Sequence, residues 1–345
     1  MTPRESTFRS KVSFSTHLPA RSSFARQTLL IYDGILEKKN PSFQKWLKSF
    51  DLTYKVRAGE KLKAVSELAG HLRRLESMAS HLSRSEGEIV VVGGGSVTDF
   101  GAFLASILKR GLKLSLIPST WLGALDSAHG GKTALNVNSA KNQIGTFHPA
   151  SRIFICKLLL FSQPPERAAD AYGEAVKMSL LGPRKLLGTW EPTSECLWKH
   201  LPRLIRQKWH WILRDPYETK GFRQVLNFGH TLGHVFEAAL DMPHGLAVYW
   251  GLQFALEWSV AKRLMAPSER RMIQKLYFQS LNKRVFERRP LVKESQARRF
   301  LTRDKKSVNT QKLHFIFLAG VAKPRVEVVS IDDVVREAKR QGFIA

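Results

Sequence analysis

Thiols are scarce in this chain: Cys156 and Cys196 are its only cysteines, far apart and in no metal-ligand spacing. Such usage fits a reducing, cytoplasmic setting better than an extracellular one. No apolar run approaches the roughly 20 residues that a membrane-spanning helix needs, so no membrane partner is expected. Internal repeats and low-complexity linkers are lacking too, and no secretory signal is expected. Acid is in short supply, with 29 Asp and Glu against 55 Lys and Arg, a formal charge of +26 and a pI near 10.3. That balance raises the question of nucleic acid. The densest cations, Arg270-Arg271, Arg288-Arg289, Arg298-Arg299 and Lys305-Lys306, are scattered through helical segments with no aromatic interleaving. They read as solvated helix surface, and nothing beyond non-specific attraction to nucleic acid is expected.

What is present is ordinary globular material, 43% hydrophobic over 345 residues, enough for two domains. The first 27 residues are basic and rich in Ser and Thr, a composition shared with transit peptides. With no cleavage site or long amphipathic helix, they read instead as a ragged terminus containing a strand that begins at Lys11 to Phe14. From Thr28 onward strand and helix alternate. Leu29 to Tyr32, Glu88 to Val92 and Leu114 to Ile117 are apolar runs of strand length, and Leu62 to Met78 and Asp99 to Leu108 carry helical periodicity. Beyond about residue 160 the pattern is mainly helical, with one late strand at Leu313 to Leu318. The expected fold is an α/β, Rossmann-like N-terminal domain over 1–155 and a mostly α-helical C-terminal domain over 156–345.

Several stretches are hard to explain by packing. A strand runs into Gly93-Gly94-Gly95-Ser96 and then a helix, which is how backbone N–H groups are brought close to a phosphate. Asp33 ends a strand, and it and Glu60 are placed to accept hydrogen bonds from ribose hydroxyls. Pro118 to Thr133 is small, polar and without amphipathic period, and Lys141-Asn142 follow it. Glu174 and Lys177, three apart in an apolar helix, share a face and suit a salt bridge or a metal and substrate site. His230 and His234, four apart, also share a helix face, with His244 close behind. Spacing alone pairs His230 with His234.

Taken together, Gly-Gly-Gly-Ser-x-x-Asp, Pro-Ser-Thr, Asp-Ser-x-x-Gly-Gly-Lys-Thr, Lys-Asn, Gly-Glu-Ala-x-Lys, Asn-Phe-Gly-His-Thr-x-Gly-His and His-Gly-x-Ala-Val follow the order found in the 3-dehydroquinate synthase family. The resemblance runs from about Asp33 to Lys306. It implies NAD bound by Asp33, Glu60, Lys63, Gly94, Gly95, Ser96, Asp99, Ser119, Thr120 and Lys141. It also implies one Zn2+ (or Co2+) held between the domains by Glu174, His230 and His244, with His234 an acid–base group instead of a ligand. Substrate contacts carried over in the same way are Asp126, Lys132, Asn142, Lys177, Arg223, Asn227 and, from a late lysine motif, Lys305 or Lys306. Lys208 and Glu218 join His234 as catalytic positions, Glu218 only across a one-residue gap. Arg110 matches an arginine that reaches the neighbouring subunit's phosphate site, which implies a homodimer. The reaction implied oxidises a hydroxyl with NAD, eliminates phosphate, returns the hydride and closes a carbocycle by aldol addition.

This chain departs from the family pattern in a few places. Ser119 stands for Thr, His129 for a small apolar residue, Leu246 for an acid, and Phe161-Ser162-Gln163-Pro164 matches only loosely. Sister cyclases that make deoxy-inosose, valiolone or amino-dehydroquinate products share the scaffold, and Lys208, Arg223 and Asn227 favour the dehydroquinate branch. Metal-dependent alcohol and glycerol dehydrogenases are more distant. A catalytically inactive, basic nucleic-acid-binding relative would have no need of Glu174, His230 and His244 together.

Overall fold

The computed structural model describes residues 8–138, 140–188, 191–278, 288–302 and 311–345. Its chain divides into two compact units, 1–164 and 165–345. The first is built on six parallel strands in the order β1-β8-β5-β4-β2-β3. These are β1 (Lys11–Ser15), β2 (Gln27–Asp33), β3 (Leu52–Val56), β4 (Gly87–Gly93), β5 (Lys113–Pro118) and β8 (Arg152–Cys156). Strands β2 and β4 are almost wholly buried, as central strands covered on both faces must be, and this is why they read as unbroken apolar runs. Glu88 breaks that rule inside β4 and is fully buried. Arg152 on β8 meets both its oxygens, at 2.7 and 3.0 Å, and Ser115 on β5 donates to it, so the charge is compensated across three strands.

The connectivity matters more than the core. The chain leaves β2 for β3 on one side, then crosses to β4 and β5 on the other. The carboxyl ends of β2 and β4 therefore flank a topological switch point, where open parallel sheets bind ligands. Asp33 ends β2, and Gly93-Gly94-Gly95 leads from β4 into helix α4 (Gly95–Ile107), which follows α1 (Gly34–Lys39), α2 (Pro41–Leu47) and α3 (Val65–Ser80). A small antiparallel hairpin, β6 (Leu135–Val137) and β7 (Ala140–Ile144), follows β5. Strand β8, followed by the short helix α5 (Lys157–Leu160), belongs to this sheet, so the expected boundary after residue 155 falls inside the strand.

The second unit is mostly helical: α6 (Glu166–Leu180), α7 (Ser194–Arg214), α8 (His230–Leu240), α9 (His244–Ala261), α10 (Pro267–Tyr277), α11 (Glu294–Thr302) and α12 (Ile331–Arg340). The late strand found from sequence is half of an antiparallel pair, β9 (Lys312–Leu318) with β10 (Pro324–Ser330). The exposed residues of β10 concealed it. Helix α9 is apolar nearly all round because α6, α8 and β9 all pack on it. Among the described residues no helix is long and apolar enough to cross a membrane.

Candidate functional site

Two glycine contacts decide the geometry of the second unit. A Cβ on Gly173 of α6 would lie 2.1 Å from the Gly245 carbonyl oxygen of α9, and one on Gly245 would lie 1.4 Å from that of Asp170. Only glycine lets the two backbones approach so closely, and the approach sets Glu174 against His244. Gly229, at φ 79°, turns the chain in a left-handed conformation directly into α8, whose first residue is His230. Glu174, His230 and His244 thereby bring one ligand atom each to within 4.8 Å of one another.

The electrostatics of this cluster are unusual. Glu174 is fully buried, its Oε1 3.1 Å from His230 Nε2 and 3.4 Å from His244 Nε2, and its Oε2 2.5 Å from Lys177 Nζ. Neither oxygen receives a hydrogen bond of good direction, so close contact has not become satisfaction. Burial disfavours the Glu174 charge, but the Lys177 ammonium outweighs it and holds the carboxyl well below its usual range. Burial, then Lys177, push His230 down to about 3 despite Glu174, so the ring is neutral. Phe228 O, 3.1 Å from His230 Nδ1, can only accept, so Nδ1 carries the proton and the Nε2 lone pair faces a carboxylate oxygen. Two lone pairs so aimed repel unless a cation lies between them. His244 goes the other way. Burial opposes its charge, yet Glu174 and Glu237 carry it up to about 10. Glu237 Oε2 lies 3.0 Å from His244 Nδ1 and orients the ring with Nε2 towards Glu174.

His234 is the histidine that spacing misassigned. Its ring centroid is 5.3 Å from that of His230, but the side chain is exposed and takes no part in the three-ligand cluster. Helical spacing puts two residues on one face; it does not say which neighbouring helix supplies the third donor.

The other expected residues of this unit are mostly buried cations. Lys177 and Lys208, on α6 and α7, are 1% and 5% exposed, and Arg223 is 4%. Arg223 is fixed by Nη1 donating to Pro216 O at 2.8 Å and by Glu218 Oε1 3.4 Å from its Nε. Asp215, fully buried, accepts from the backbone N–H of Thr219, Lys220 and Arg223 and so shapes the turn holding Glu218 and Arg223. Asn227 ends a 3-10 turn, Phe222–Asn227, just before Gly229. Lys305 and Lys306 lie outside the described residues.

In the first unit the expected nucleotide residues gather around the switch point. Asp33 caps the short helix after β2 through the Ile35 N–H at 3.2 Å. Ser96 Oγ accepts from Gly59 N–H at 3.0 Å, tying the helix that Gly94 and Gly95 open to the turn carrying Glu60 and Lys63. Lys63 Nζ donates to Asp99 Oδ2 at 2.7 Å and to Asn142 Oδ1 at 2.6 Å. Burial pushes Asp99 upward in pKa, with Lys63 opposing. Ser119 is buried, and Thr120 Oγ1 accepts from Gly123 N–H. That bond starts a single π-turn, Gly123–Ser127, which carries Asp126 half-buried. Lys132 and Lys141 are exposed. Arg110 joins none of this. It sits in an exposed turn at the opposite end of α4, at φ 63°.

Sequence reasoning missed three residues that hydrogen-bond to expected site residues or to the turn that carries them: Asn136, which donates to Glu60 Oε2 at 2.7 Å, Asp215 and Glu237. Asp215-Pro216 after a long helix is a turn signal, and Glu237 lies seven residues from His230, on its face of α8. Asn136 carried no local signal.

Comparison with known proteins agrees with the sequence resemblance. Residues 53–170 match the family described as 3-dehydroquinate synthase N-terminal, and 171–307 match 3-dehydroquinate synthase C-terminal. The chain is 33% identical over 287 residues to 3-dehydroquinate synthase of Lactiplantibacillus plantarum, covering 81% of this chain and 78% of that one. It is 32% identical over 250 residues to the bifunctional shikimate kinase/3-dehydroquinate synthase of Thermotoga maritima. That match takes in 71% of this chain but 49% of the other, so this chain spans about half the length of that two-function relative. Among solved structures, 2-deoxy-scyllo-inosose synthase complexed with carbaglucose-6-phosphate, NAD+ and Co2+ superposes with a TM-score of 0.78. The match covers 96% of both chains at 23% identity, a likeness of fold.

Proposed function

The chain belongs to the 3-dehydroquinate synthase family, and from that premise we propose that it converts 3-deoxy-D-arabino-heptulosonate 7-phosphate to 3-dehydroquinate and phosphate. The observation that carries this reading is the cluster of Glu174, His230 and His244, in which the buried Glu174 Oε1 faces both imidazole Nε2 atoms without a well-directed hydrogen bond. One carboxylate and two imidazoles suit Zn2+ or Co2+, and the bare Nε2 of His230 and Oε1 of Glu174 are the donors such an ion takes. Glu174 divides its labour, with Oε1 towards the imidazoles and Oε2 held by Lys177. When bound, a divalent ion supplies Lewis-acid polarisation of substrate oxygens, and NAD supplies a reversible hydride acceptor.

The protein's own groups orient and neutralise. Asp33, Glu60, Lys63, Asp99 and the Gly94-Gly95-Ser96 turn bind the dinucleotide, with Ser119, Thr120 and Lys141. Lys177, Arg223 and Asn227, together with Asp126, Lys132 and Asn142, receive a substrate that carries both a carboxylate and a phosphate. Buried, pre-oriented cations bind such anions strongly because little reorganisation is left to do. His234, Lys208 and Glu218 move protons, and His234 is exposed beside the His230 ring as that task requires. Arg110, displayed at the far end of α4, serves a second copy in a homodimer. Free thiols at both cysteines fit a reducing cytoplasm.

Phosphate release from 3-deoxy-D-arabino-heptulosonate 7-phosphate, followed with NAD and Zn2+ and with each omitted, tests the reading. Release with dehydroquinate formed and no net NADH is expected. Turnover only of sugar phosphates that lack the carboxylate would assign the chain to a sister cyclase, and no turnover of either would overturn the enzymatic reading.

A further inference from the structure

Asn136 lies on β6, 7% exposed, and bridges two residues from different parts of the first unit. Its Nδ2 donates to Glu60 Oε2 at 2.7 Å, and its Oδ1 accepts from the backbone N–H of Asn142 at 2.8 Å. Its backbone also pairs with Ala64, just after the Glu60–Lys63 turn. A carboxylate only accepts and an N–H only donates, so the partners fix which way the amide points. Asn142 itself sits at φ 56°, a left-handed conformation that asparagine adopts more readily than most residues. Lys63 supplies the second hold on it, through Oδ1 at 2.6 Å, and reaches Asp99 with the same ammonium. Five polar residues therefore form one chain: Glu60, Asn136, Asn142, Lys63 and Asp99.

We propose that Asn136 is a positioning residue that fastens the dinucleotide-side Glu60 to the substrate-side Asn142. This rests on the functional reading above. Asparagine satisfies both partners at once. Aspartate keeps the acceptor for Asn142 but sets a second negative charge against Glu60. Alanine removes both bonds, and glutamine is one methylene too long for the gap.

The test is titration of the full-length protein with NAD, steady-state kinetics on the sugar-acid phosphate, and thermal melting. Asn136→Asp is expected to weaken NAD binding by about tenfold, the scale of a lost bond to a charged group, with a smaller rise in substrate KM. Asn136→Ala is expected to raise both constants by about that factor. Asn136→Asp combined with Glu60→Gln is expected to bind NAD as Glu60→Gln alone does, because the amide donor has been moved across the pair. Wild-type NAD affinity and KM in Asn136→Asp would overturn the proposal, as would losses that add in the double variant or that simply follow a lowered melting temperature. A wild-type chain that binds no NAD would overturn the functional reading, and this inference with it.

Discussion

The two units handle buried charge in opposite ways. In the first, the charged groups near the switch point already have partners: Lys63 bonds to Asp99 and Asn142, and Asn136 bonds to Glu60. In the second, Glu174 is more deeply buried, has cations and imidazoles all around it, and still lacks a well-directed bond. A satisfied network holds a shape into which a large cofactor fits by hydrogen bonding. An unsatisfied cluster of fixed donors stores electrostatic free energy that a small, highly charged ligand releases. The first arrangement gives orientation and the second gives affinity for a cation.

Breaking the second unit should have the larger effect. Glu174→Ala is expected to abolish metal binding and lower kcat/KM by on the order of a thousandfold or more, read by phosphate release. It also strands Lys177, so the metal-free variant should lose about 3 kcal/mol by chemical denaturation. Removing both charges, Glu174→Gln with Lys177→Met, should recover that stability and leave the chain inactive, which separates the ion pair's role in folding from its role in function. Next, Lys63→Met should lower NAD affinity by about tenfold and destabilise by about 2 kcal/mol, because Asp99 loses its cation. Glu237→Gln tests the orientation of His244 and should weaken metal binding by about tenfold in chelator competition. The smallest effect is a proton. With His244 carried up to about 10, it is protonated at pH 7 before metal binds, so binding should release about one proton and strengthen as pH rises towards that value. Calorimetry in buffers of different ionisation enthalpy reads this directly.

Much of the fold was legible because β2, β4 and β5 are buried on both faces and so appear as apolar runs ending in Asp33, Gly93 and Pro118. Strand β3, with Lys55 exposed, and hairpin strand β7, exposed throughout, carry no such run and were not found. Strand β8 was missed although it is largely buried, since Arg152 and Cys156 bracket only three apolar residues. At the site, the family resemblance pointed to Glu174, His230 and His244, and spacing by itself pointed to His230 with His234. The difference lies in tertiary structure: Gly173 against Gly245 brings α6 and α9 close enough to supply Glu174 and His244. Asn136 was invisible for the same reason, since its meaning comes from Glu60, which is 76 residues away.

Cobalt binding followed by visible absorption, in the wild type and in His234→Ala and His244→Ala, decides which imidazoles hold the ion. One Co2+ per chain is expected in the wild type and in His234→Ala, and none in His244→Ala. Retention of the cobalt spectrum in His244→Ala, or its disappearance in His234→Ala, would contradict the assignment of the cluster.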